Sequence, residues 1–168
     1  MSDSRRVLTS PGGPVVLSDR TLRALASIRR LGLLEKVYGD LVMARSVFDA
    51  AGDVLNPKPA WLTVLGDRPD TELPSRIAGA GPLESATLKL AIAIPASIVL
   101  IDGPIKEPAK LSFIKCEGTV SILVQAYREG HLSAVRPMVK ALRALGHEDV
   151  LPPPEALEAL WTALDQLR

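Results

Sequence analysis

The apolar positions of this chain fall into short unbroken runs and longer interrupted stripes. Val15-Val16-Leu17 and Ile98-Val99-Leu100-Ile101 show no polar alternation, the pattern of strands buried on both faces within a parallel sheet. Asp40-Leu41-Val42-Met43 reads as another strand, and Trp61-Leu62-Thr63-Val64-Leu65 alternates as an edge strand does. Leu111-Ser112-Phe113-Ile114 reads as a last short strand. Between these runs, apolar residues recur at helical spacing. Leu22, Leu25, Ala26 and Ile28 form one such stripe, and Leu33 to Tyr38 makes a shorter turn of helix after Gly32. Ser46 to Ala51 begins another helix with Val47 and Phe48 inward, and Glu84 to Ile92 carries Thr87, Leu88 and Ala91 on one face with Leu83.

The second half is more helical. Gly118-Thr119 opens a helix that buries Val120, Ile122, Leu123 and Ala126 and ends at Gly130. A helix from Ser133 to Leu145 closes at Gly146. After Pro152-Pro153-Pro154, the stripe Leu157, Leu160, Trp161, Leu164 and Leu167 marks a terminal helix. Pro11 to Pro14 reads as a turn, and Gly66 to Gly81 as loop with one helical turn. Pro104 and Pro108, four residues apart, argue against a regular helix through both. The alternation of strands and helices predicts a three-layer α/β domain: a short, mostly parallel sheet flanked by helices, with added C-terminal helices. The expected division is a domain over 1–150 and a helix over 151–168, packed on that domain or on a partner.

Composition narrows the classes. The chain has 168 residues, 47% hydrophobic but only 4% aromatic, so its core is built of Leu, Val, Ile and Ala. A net charge of +1 is far from that of a protein that coats nucleic acid, though it allows a local basic face. The single cysteine, Cys116, rules out an internal disulfide and reads as a small core or rim residue. The opening Met-Ser-Asp-Ser-Arg-Arg lacks a signal-peptide core, and no apolar run reaches membrane-crossing length, so a cytoplasmic location is expected.

The candidate chemistry lies in acids at element ends. Asp19 follows the first strand, Glu84 starts a helix and Asp102 follows the central strand. Adjacent parallel strands would bring Asp19 and Asp102 to one sheet edge, with Glu84 approaching from its helix. Clustered carboxylates repel unless a cation compensates, and hard oxygen ligands favour Mg²⁺ or Mn²⁺. Such an ion can activate water and stabilise the departing oxygen of a phosphodiester. Read locally, Asp102-Gly103-Pro104 is equally a turn signal.

Val15-Val16-Leu17-Ser18-Asp19-Arg20-Thr21, followed by Leu33-Leu34-Glu35-Lys36-Val37-Tyr38-Gly39, resembles the opening of PIN-like nuclease domains. Leu83-Glu84-Ser85-Ala86, Ile98 to Asp102, Gly118 to Leu123 and Gly130 to Pro137 follow in that family's order. The resemblance spans roughly Val15 to Leu145 and is to the bacterial and archaeal, toxin-type branch. It implies a Mg²⁺- or Mn²⁺-dependent ribonuclease with Asp19, Glu84 and Asp102 holding the ion, and RNA, an antitoxin protein or a second copy of the chain as partners. The chain also departs from the family. Ala86 and Gly103 stand where further acids are common, Arg20-Thr21-Leu22 replaces a small-residue-plus-Pro signature, and Pro104 to Pro108 replaces a helix. The alternative that these departures imply is a domain that has lost its ion and serves as a protein- or nucleic-acid-binding module.

Arg136, Lys140 and Arg143 recur at i, i+4 and i+7, so they share one helix face. Helices commonly carry such a face into solvent. Its functional counterpart is a ridge contacting RNA phosphates. His131 and His147 lack metal-ligand spacing, and Trp61 reads as a packing residue.

Overall fold

A computed structural model describes residues 13–167. The first half of the expected Pro11–Pro14 turn lies outside the described residues.

The strands are β1 (Val15–Leu17), β2 (Leu41–Ala44), β3 (Leu62–Leu65), β4 (Ile98–Leu100) and β5 (Cys116–Glu117). All neighbours pair in parallel, in the order β3-β2-β1-β4-β5. Among the described residues eight α-helices accompany them: α1 (Asp19–Ser27), α2 (Leu33–Tyr38), α3 (Arg45–Ala50), α4 (Pro82–Ala93), α5 (Lys106–Leu111), α6 (Thr119–Arg128), α7 (Arg136–Ala144) and α8 (Pro154–Asp165). The result is a three-layer α/β arrangement, as the sequence pattern predicts. No helix among the described residues is long and apolar enough to cross a membrane.

The continuous apolar runs became central strands for a simple reason. Every residue of β1 and β2 is buried, and a fully buried Val or Leu contributes roughly 1.5–3 kcal/mol. Helices must therefore cover both sheet faces, because a polar residue facing either would be stranded. β3 stays at the edge and is half-exposed beyond Leu62, which matches its polar alternation. Of the terminal stripe, Leu157 and Leu164 are buried, Leu160 and Trp161 are half-buried, and Leu167 is exposed.

One region was misread, although no helix runs through both Pro104 and Pro108. Residues 111–114 are not a strand; the last strand is Cys116–Glu117, and Lys106–Leu111 is a helix through Pro108. Pro108 is the third residue of α5, where an amide has no intrahelical acceptor in any case. Phe113 instead stands fully exposed with φ +65°.

Topology fixes where a ligand crevice lies. The chain proceeds outward from β1 through β2 to β3, then returns to place β4 on the other side of β1. Strand order therefore reverses between β1 and β4, and in open α/β sheets the crevice forms beyond the carboxyl ends at that point. Val15 pairs with Ile98, Val16 with Val99 and Leu17 with Leu100, so Asp19 and Asp102 each lie two residues past matched positions. The amide of Ser18 donates to the carbonyl of Leu100 at 3.0 Å and holds the seam together to its last residue.

Candidate functional site

Asp19, Glu84 and Asp102 line one cavity of about 110 Å³ at the end of the β1–β4 seam, together with Ser18, Arg20 and Leu83. Asp19 is the first residue of α1, with Ser18 in the capping position. Glu84 lies in the first turn of α4, where an acid suits the positive end of the helix dipole. The three predicted acids thus share one cavity, but each is already engaged by the protein.

Asp102 is the most committed. It is only 4% exposed, and its Oδ2 accepts hydrogen bonds from the hydroxyls of Thr21 and Thr119, each at 2.6 Å. The amide of Thr119 donates to both carboxylate oxygens at 3.1 Å. Asp102 therefore ties α1 to the start of α6 across the end of the sheet. Ser18 extends the network by donating from its hydroxyl to Thr21 Oγ1 at 3.2 Å. Burial pushes the Asp102 carboxyl above its ordinary range, opposed by these hydrogen bonds and by the charge of Lys106. Gly118 permits the close approach: a Cβ there would lie 2.6 Å from Asp102 Oδ1 and 2.9 Å from Lys106 Nζ.

The other two acids face arginines. Arg23 Nε donates to both oxygens of Asp19, at 3.0 and 3.1 Å, across one turn of α1. The same guanidinium reaches Asp53 at 3.3 Å and the carbonyl of Ala50 at 2.8 Å. Arg20 has its Nη2 4.0 Å from Glu84 and its Nε 3.3 Å from Asp149, which lies in a short 3₁₀ turn over Glu148–Val150. Gly103 adopts φ +94°, and a side chain there would collide with the Arg20 guanidinium. Arginine thus fills the space over the position where the sequence lacks a second acid.

Sequence reasoning missed Thr21, Thr119 and Arg23. The i, i+4 spacing of Asp19 and Arg23 was the available signal for the last pair. Nothing local could pair Asp102 with Thr21, 81 positions away.

A family model described as PIN domain matches residues 15–147. The chain belongs to the PIN-domain family. No curated protein and no solved structure matches it. The family is of nuclease type, and PIN domains generally use divalent metal ions. The residues of this PIN domain do not fit such an ion as they are placed. Among the described residues, no three His, Cys, Asp or Glu side chains are grouped so as to hold a metal. The donor chemistry is right, since all three acids offer oxygen. The geometry is not: Asp102 already accepts from two hydroxyls and an amide, Asp19 is bound by Arg23, and Arg20 lies 4.0 Å from Glu84.

Arg136, Lys140 and Arg143 lie elsewhere, all exposed along α7, and line a separate cavity of about 840 Å³ against α8. Cys116 is buried in β5, and burial pushes its thiol up to about 11, which makes it inert near neutral pH.

Proposed function

We propose that this PIN domain binds RNA without a divalent ion and without cutting it. One observation carries the reading: all three crevice acids already face partners within the protein, Arg23 on Asp19, Arg20 at 4.0 Å from Glu84, and threonine hydroxyls and an amide on Asp102. An ion entering there would have to displace a guanidinium, break the Asp102 hydrogen bonds, or both. A guanidinium offers no coordination and cannot activate water, so the fold and its nucleic-acid partner class remain while ion chemistry is lost.

The test is fluorescence anisotropy of a labelled single-stranded RNA, run in EDTA and again with Mn²⁺, with the RNA then examined on a denaturing gel. Binding that is equal in both buffers, with intact RNA, is the expected result. Binding that requires Mn²⁺, or cleavage that Asp102→Asn abolishes, overturns the reading.

The second reading is Mg²⁺- or Mn²⁺-dependent RNA hydrolysis of the toxin type, with Asp19, Glu84 and Asp102 as ligands and an antitoxin as partner. The shared 110 Å³ cavity favours it. The same gel separates the two.

A further inference from the structure

The family match ends at residue 147, and the segment beyond it builds a second cavity. Helix α8 and the 3₁₀ turn over Glu148–Val150 close against α7 to leave a groove of about 840 Å³. The α7 wall carries Arg136, Lys140 and Arg143, and the α8 wall carries Leu157 and Trp161. The Arg136 guanidinium lies 5.0 Å from the centroid of the Trp161 ring. Lys140 and Arg143 make no ion pair among the described residues, although Glu148 and Glu158 also line the groove.

We propose that the α7–α8 groove is a binding site for single-stranded RNA, with Lys140 and Arg143 on phosphates and the Arg136–Trp161 pair as the stacking platform for a base. The inference rests on the RNA-binding reading above and names its site. A cationic wall facing an aromatic is the arrangement by which proteins hold single strands: the charges follow the backbone and the ring takes a base of any identity. Bases also stack on arginine planes, so a guanidinium laid over the indole extends the platform. The crevice is the poorer place for phosphate, since its lining holds Asp19, Glu84 and Asp102 against the single cation Arg20. Leu151 and Pro152 line both the groove and the cavity of about 850 Å³ that borders Asp102, so one apolar wall separates the two. A duplex offers its bases to no such platform, which makes single strands the favoured ligand.

The experiment measures anisotropy of a fluorescein-labelled oligouridine of about 12 nucleotides, within the range that single-strand grooves accommodate. The full chain is compared with Lys140→Glu/Arg143→Glu and with Trp161→Phe. The charge variant, exposed on α7, should lose affinity about tenfold or more and flatten the salt dependence. Trp161→Phe keeps a ring in place, so it should fold, retain most affinity and lose the quenching of tryptophan emission by unlabelled poly(U). A circular-dichroism melt confirms that both variants are folded. Equal affinity of the parent and the charge variant overturns the groove while leaving RNA binding elsewhere intact. No binding by the parent overturns the groove and the proposed function together. Competition by polyglutamate as effective as by poly(U), or tighter binding of a duplex of the same length, overturns recognition of the strand. Preference for poly(U) over the matching DNA assigns part of the recognition to the ribose; equal binding of the two overturns the restriction to RNA.

Discussion

The two polar regions of this molecule are built in opposite ways. At the β1–β4 seam, acids come together and the protein supplies their partners: threonine hydroxyls and an amide for Asp102, Arg23 for Asp19, and Arg20 beside Glu84. In the α7–α8 groove, cations gather on an exposed face, and Lys140 and Arg143 have no ion-pair partner among the described residues. The first arrangement consumes charge to hold elements in place, and the second leaves charge available. A cluster of acids is therefore not by itself a metal site; what decides is whether its lone pairs are already taken.

The sharpest way to break that comparison is to remove Asp102. Asp102→Ala would leave two buried hydroxyls and the Thr119 amide without their acceptor, a loss of about 3 kcal/mol. For a chain of this size that is a fall of roughly 10 °C in Tm. A thermal melt checks it, and an unchanged Tm would mean that Asp102 is held for another purpose. The pH dependence has a definite sign. The Asp102 carboxyl is raised in the folded state, so the fold holds its proton more tightly than the unfolded chain. Its contribution to stability is therefore greatest in acid and falls as pH rises through the carboxylate range into the raised value; Asp102→Asn should remove that component.

A smaller effect is expected at Gly103. Gly103→Asp restores an acid common in the family but forces a side chain onto φ +94° and into Arg20. A loss of about 2 kcal/mol is expected, part of it recovered when Arg20→Ser makes room. Full additivity of the two changes in urea denaturation would show that Arg20 does not occupy that space.

Next in size is a phenol that lines the cavity of about 850 Å³. Burial, with the charges of Glu117 and Glu129, pushes Tyr38 up to about 12. The folded state thus keeps this proton longer than the unfolded chain, so stability should decline as pH climbs from the ordinary tyrosine value toward about 12. Tyr38→Phe should flatten that decline in melts taken across the alkaline range. The smallest change is expected in the groove. Arg136→Ala removes an exposed cation–π contact and should alter stability by about 0.5–1 kcal/mol. A loss as large as that of Asp102→Ala would erase the distinction between the two regions.

β1, β2 and β4 were legible because they are runs that a doubly covered parallel sheet buries, and Asp19 and Asp102 followed from the ends of two of them. β3 showed its edge alternation, while the two-residue β5 left too short a pattern to read. Pro108 hid α5, because a proline at the third helical position looks like a breaker in sequence and costs little in the fold. The meeting of the three acids was also legible; their neutralisation was not. Arg20 stood in view as a departure from the family, but only the structure brings it over Gly103 and against Asp149. Thr21 and Thr119 carry no pattern at all, since their role depends on contacts that cross the sheet edge.

The central claim is that arginine has taken the place of the ion, and a calorimetric titration of the unmodified chain with Mn²⁺ tests it most directly. The account predicts no saturable binding up to about 1 mM, the weak end of oxygen-ligand sites. One-to-one binding tighter than about 0.1 mM that disappears in Asp102→Asn would contradict it and restore an ion to the crevice.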